Sequence, residues 1–149
     1  MKKFLSILFI CISFFLVNTS FAQLRKIPAE VTDNFTEKFP GATQVEWRDK
    51  LSGFTASFSV DSVAYVAAFN NKGEWESTEQ SIEEEALPQV VNDGFDKSKY
   101  ADWTVETVSQ IEYPNDEIQF KIVVAKGDIK KRNLYFNSEG RLVKDKLTL

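Results

Sequence analysis

The chain has 149 residues, with 18 Lys or Arg against 22 Asp or Glu, no histidine and a single cysteine, Cys11. A net charge of −4 argues against nucleic acid as a partner, because phosphate binding draws on a basic surface. Without histidine the usual base near neutral pH is missing, and one cysteine supplies no thiol cluster, so neither a metal nor another cofactor is expected.

Residues 1–22 read as a secretory signal: Lys2 and Lys3, an apolar run from Phe4 to Val17, then Ser20-Phe21-Ala22 ahead of the cleavage point. The run falls short of the roughly 20 apolar residues that span a bilayer. Cys11 lies inside it, away from the position a lipid-modified cysteine needs. The expected product is a periplasmic or extracellular protein without a stable membrane anchor, residues 23–149, folded as one domain.

That domain states one pattern twice. Ile27-Pro28, Val31, Phe35 and Val45-Glu46 return sixty positions on as Leu87-Pro88, Val91, Phe95 and Val105-Glu106. Phe69-Asn70 with Gly73 returns sixty-seven positions on as Phe136-Asn137 with Gly140, so the second copy is longer by seven residues between Glu106 and Phe136. The copies cover about residues 24–80 and 84–149. Each is marginal alone at this length, which predicts a shared core.

Each copy opens on a proline at the first helical position, Pro28 or Pro88. Ile27, Val31, Phe35 and Phe39 then make an apolar stripe that Phe39-Pro40-Gly41 ends, and Leu87, Val91 and Phe95 repeat it, with Gly94 weakening the second helix. Phe54, Ala56, Phe58 and Val60 alternate with Thr55, Ser57 and Ser59, the period of a pleated strand. A two-residue turn at Asp61-Ser62 pairs Val60 with Val63, Phe58 with Tyr65, Ala56 with Ala67 and Phe54 with Phe69. Thr55, Ser57, Ser59, Ala64, Val66 and Ala68 then share the opposite face. Asn71-Lys72-Gly73 and Ser138-Glu139-Gly140 read as three-residue turns that set Trp75 opposite Phe69 and Leu142 opposite Phe136 on the core side. Ile118, Phe120, Ile122 and Val124 alternate in the second copy, while Tyr113-Pro114-Asn115-Asp116 and Lys126-Gly127-Asp128 are turns able to hold the surplus. The predicted fold is α+β: a tandem repeat of one helix and four antiparallel strands, forming one continuous antiparallel sheet with both helices packed on one face.

Charge is uneven along the chain. Residues 121–149 hold eight Lys or Arg against three acids. Lysines guarding a terminal edge strand account for this, and so does a docking surface of two signs. Glu83-Glu84-Glu85 suits a solvated lead-in to the second helix. Phosphate loops, dinucleotide fingerprints and activated serines are absent, so no catalytic residue is assigned. Trp75 falls on the core face, and Trp47 and Trp103 suit either core or contact roles.

Phe39-Pro40-Gly41-Ala42, Val45 and Trp47, Phe69 to Gly73 with Trp75, Ser77-Thr78-Glu79 and Leu87-Pro88 together resemble the β-lactamase-inhibitor-like, PepSY-like family of bacterial exported proteins. The resemblance implies helices on one face of an antiparallel sheet, and binding partners that are enzymes. The expected function is therefore an exported, non-catalytic protein-binding module. Its partner is an unidentified protein, with an exported hydrolase as the candidate, and Thr55, Ser57, Ser59, Ala64, Val66 and Ala68 form the contact face. The alternative is a small-ligand carrier using an aromatic-lined groove between helices and sheet.

Overall fold

Ile27, Val31, Phe35 and Phe39 pack into one cluster beneath a helix, α1 (Ala29–Lys38), in the computed structural model, which describes residues 26–127 and 129–148. The expected signal segment lies outside the described residues, as does Asp128. Pro28 stands one position ahead of the expected place. With φ −59° and ψ 147° it caps the helix, and its carbonyl accepts from the Val31 and Thr32 N–H groups. Pro88 caps α2 (Gln89–Asp96) in the same way. A cap residue needs only its carbonyl for the helix ladder, so a proline loses nothing there by lacking an N–H.

Strands β1 (Thr43–Lys50), β2 (Gly53–Val60), β3 (Val63–Asn70) and β4 (Trp75–Ile82) follow α1, and β5 (Thr104–Glu112), β6 (Ile118–Lys126), β7 (Lys130–Asn137) and β8 (Leu142–Leu147) follow α2. All eight form one sheet in sequence order, each antiparallel to its neighbours. The β2–β3 register is the one the turn predicts, from Val60 opposite Val63 to Phe54 opposite Phe69. Asp61 and Ser62 both carry positive φ, 49° and 68°, which matches the twist of a tight hairpin. Gly73 (φ 82°) and Gly140 (φ 77°) close the longer turns, donating to the Asn70 and Asn137 carbonyls. Trp75 and Leu142 stand opposite Phe69 and Phe136 as expected. Leu142 nevertheless stays exposed, because β8 is an edge strand with nothing beyond it.

The seven surplus residues do not all enter loops. The β5–β6 connection takes three and the β6–β7 turn one, while two more fall in the part of β5 beyond Glu106 and one in β6. The match between Val45-Glu46 and Val105-Glu106 is also one residue out in space. A bulge at Gln44 and Val45 sets Glu46 opposite Ser57, whereas Glu106 itself occupies the bulge of β5.

The expected single core is two clusters on one side of the sheet. Val31 and Phe35 of α1 cover Phe54, Phe58 and Phe69, and Val91 of α2 covers Phe120, Ile122 and Phe136. Thr78, Gln80 and Gln110 lie between them on the same face, as the pairs Ala67–Thr78, Gln80–Gln110 and Gln110–Phe120 require. The helices sit over β2–β3 and β6–β7, four strands apart, or about 19 Å at ~4.8 Å per strand. Packed helices lie about 8–10 Å apart, so each helix here must find its own patch of sheet. The Thr78–Ile82 ladder with Val108–Glu112 joins the halves instead.

Each helix rests on a glycine turn. Asn34 Nδ2 donates to the Gly73 carbonyl at 2.8 Å, while Gly94 of α2 lies directly against Gly140. A side chain at either of that second pair would collide with backbone: a Cβ on Gly94 falls 1.9 Å from the Gly140 oxygen. The residue that weakens α2 as a helix is the one that lets it dock.

Candidate functional site

The six residues expected to form a contact face do share one side of β2 and β3, paired as Thr55–Ala68, Ser57–Val66 and Ser59–Ala64. Both helices sit on the other side, so among the described residues this face has no helical cover. Ala64 and Val66 are exposed and the other four are half-buried. Their side chains are small, so the floor they make is low.

The same face continues past the predicted residues. Ser77, Glu79 and Ser81 of β4 extend it, then Ser109 and Ile111 of β5, Lys121 of β6 and Tyr135 of β7. Lys121 Nζ donates to Glu79 across the intervening β5. That bridge runs over the gap between Ser109 and Ile111, each only 5% exposed on a face without a helix. Tyr113, in the added length after β5, and Tyr135 stand close enough to Glu79 to feel its charge. Burial pushes both phenols above the ordinary tyrosine range, and the charge of Glu79 adds to it, so both are neutral hydrogen-bonding groups at physiological pH. The result is a low floor of serine, alanine and threonine beside a raised, drier margin of two tyrosines and an internal ion pair.

Sequence reasoning missed Glu79, Lys121, Tyr113 and Tyr135. The alternation of β6 already placed Lys121 off the core side, but its meeting with Glu79 depends on β4 pairing with β5 across the 83–103 excursion. Among the described residues, no group of three histidine, cysteine, aspartate or glutamate side chains converges to hold a metal. Glu84–Ala86 forms one exposed 3₁₀ turn.

On the helix side, the rings expected to line a carrier groove pack on one another. Phe35 packs on Phe58 at 5.0 Å, Trp47 at 5.2 Å and Phe39 at 5.4 Å between centroids. Trp75 donates to Thr78 Oγ1 at 2.9 Å and carries Lys38 Nζ 3.6 Å above its ring. Trp103 meets Tyr100 edge-on at 5.2 Å, so all three tryptophans join the helix-side clusters. Much of the basic charge of the last strands is paired: Lys126 with Asp102, Lys131 with Glu106, and Arg132 with Asp145. Lys144 and Lys146 mark the edge strand β8.

Residues 52–144 match the family described as "Putative beta-lactamase-inhibitor-like, PepSY-like". No curated protein matches the chain. Among solved structures, it is similar to a BLIP-like protein from Bacteroides fragilis, with a TM-score of 0.72 and 28% identity over 85% of this chain and 90% of that one. A DUF2874 family protein from Bacteroides ovatus gives a TM-score of 0.74 and 25% identity over 83% and 89% of the two chains. A Bacteroides eggerthii protein described as "putative periplasmic" shares the fold, with a TM-score of 0.74 at 19% identity over 83% and 90%. No helix among the described residues is long and apolar enough to cross a membrane. The match runs from the start of β2 into β8 and so takes in α2 and most of the sheet, with α1 and β1 preceding it; the chain belongs to the β-lactamase-inhibitor-like, PepSY-like family.

Proposed function

We propose that this is an exported, non-catalytic module that binds another protein through its helix-free sheet face, and that its halves are two copies of one unit. One observation supports the reading above others: Ser109 and Ile111 are dry on a face that no helix among the described residues covers, with tyrosines around them. Interfaces of this kind centre on well-packed aromatic residues with a polar surround. Thr55, Ser57, Ser59, Ala64, Val66 and Ala68 are the low floor onto which a partner's raised surface fits. The family's kinship to inhibitors makes an exported hydrolase the candidate partner. This rests on resemblance, since a shared fold does not carry its function with it.

The test is affinity capture from envelope extract with residues 23–149 as bait, compared with Val66→Arg on the open face and Val90→Arg on the exposed side of α2. The reading expects one partner retained by wild type and by Val90→Arg but lost with Val66→Arg. Capture that Val90→Arg abolishes and Val66→Arg spares moves the contact surface to the helix side.

A further inference from the structure

The two halves treat one spot on the open face differently. Counted from the pairs Phe54–Phe69 and Phe120–Phe136, Ser59–Ala64 stands where Ala125–Lys131 stands in the second half. There Lys131 Nζ reaches Glu106 at 2.7 Å. In the first half Ala64 takes the lysine's place, yet a carboxylate remains: Glu46, just past the β1 bulge and opposite Ser57. No lysine or arginine among the described residues pairs with it. Beside it lies an open hollow of about 540 Å³, whose lining includes Gln44, Glu46, Ser57, Ser59, Ala64 and Val66 along with Phe58 and Tyr65.

We propose that this hollow receives a lysine or arginine side chain of the bound protein, with Glu46 as its counter-charge; the proposal rests on the open face being the contact surface. In the free protein an exposed Glu46 is solvated and costs nothing. A partner covering the face strips that water, and a carboxylate left dry and unpaired is penalised heavily. Glu79 is already neutralised by Lys121 and Glu106 by Lys131, so Glu46 is the carboxylate here that a partner must answer. The hydroxyls of Ser57 and Ser59 give an ammonium or guanidinium further acceptors. One carboxylate with two hydroxyls is a poor cage for calcium, which takes 6–8 oxygen ligands.

The experiment selects a displayed random heptapeptide library on residues 23–149 at low ionic strength and measures the recovered peptides on variants. The expected result is enrichment of peptides carrying lysine or arginine, with binding weakened about tenfold by Glu46→Gln and by Ala64→Lys, which supplies the missing cation from within. Both sites are exposed, so both variants fold. Peptides without basic residues, no recovered peptides, or binding indifferent to both variants overturns the proposal. Binding that Val66→Arg or Tyr135→Ala removes while Glu46→Gln and Ala64→Lys leave it intact refutes the hollow and keeps the face. Binding indifferent to all four refutes both.

Discussion

Replacing Gly94 by alanine sets helix propensity against packing. In an open helix the change gains about 1 kcal/mol. Here the new methyl falls 1.9 Å from the Gly140 oxygen and 2.9 Å from its carbonyl carbon, whereas ordinary contact begins at 3.4 Å. Both atoms belong to backbone in a left-handed turn, so neither can swing aside as a side chain does. Either α2 or the turn must retreat by about 1.5 Å, loosening Val91 and the contact of Phe95 with Phe136. Overpacking of this kind costs about 1–3 kcal/mol, and two rigid partners put it at the upper end. We expect a net loss of about 2 kcal/mol after the propensity gain, or a melting temperature lower by roughly 6–10 °C in a domain of this size. Thermal unfolding followed by far-ultraviolet circular dichroism reads it. Gly41→Ala is the control, because its methyl meets only Val60 Cγ1 at an ordinary 3.7 Å and should change stability by less than about 0.5 kcal/mol. An unchanged or raised melting temperature for Gly94→Ala would refute the docking argument.

Asn34→Ala removes the bond to the Gly73 carbonyl and should cost about 1 kcal/mol in urea unfolding, with no loss if that contact is idle. Burial works to raise the Asp145 carboxyl, but the Tyr100 hydroxyl and Arg132, at 2.5 Å, outweigh it and hold the group below its ordinary value. A lowered carboxylate contributes stability above its unfolded pKa of about 3.9 and loses it as pH falls through the folded value. Asp145→Asn should therefore be less stable than wild type by about 1–2 kcal/mol at pH 7, with the gap narrowing as pH falls below about 4; a gap that widens as pH falls contradicts the assignment. Glu79→Gln should lower the titration midpoints of Tyr113 and Tyr135 in absorbance at 295 nm, yet leave them above an ordinary tyrosine, since burial is the larger cause of both shifts. Midpoints that do not move place the tyrosines out of reach of Glu79.

Local chemistry made much of this fold legible. Strict alternation in Phe54 to Val60 and the Asp61-Ser62 turn fixed the β2–β3 register to the residue, because a slip of one would send every ring to water. Glycine at Gly73 and Gly140 announced the turns for the same reason that it occupies them. What depends on distance along the chain was hidden. Nothing local says that β4 pairs with β5 across the excursion through α2, so the meeting of Glu79 with Lys121 and the dry patch at Ile111 stayed out of view. Bulges were equally silent: the matched Val-Glu pairs of β1 and β5 differ in space by one residue because each strand kinks at a different point of the match. The shared core failed on spacing, since two helices four strands apart cannot bury the same side chains. Of the candidate site, the low floor was readable from β2 and β3, and the raised margin was not.

Along each strand the two faces alternate residue by residue, so backbone hydrogen exchange would report which strands a partner covers but not which side. Hydroxyl-radical footprinting reads side chains and makes that distinction. Applied to residues 23–149 free and bound to the captured partner, it should show Tyr113, Tyr135 and Val66 protected while Trp75 and Val90 on the helix side react as before. Protection of Trp75 and Val90 with Tyr113, Tyr135 and Val66 unchanged would contradict the assignment of the open sheet face as the contact surface.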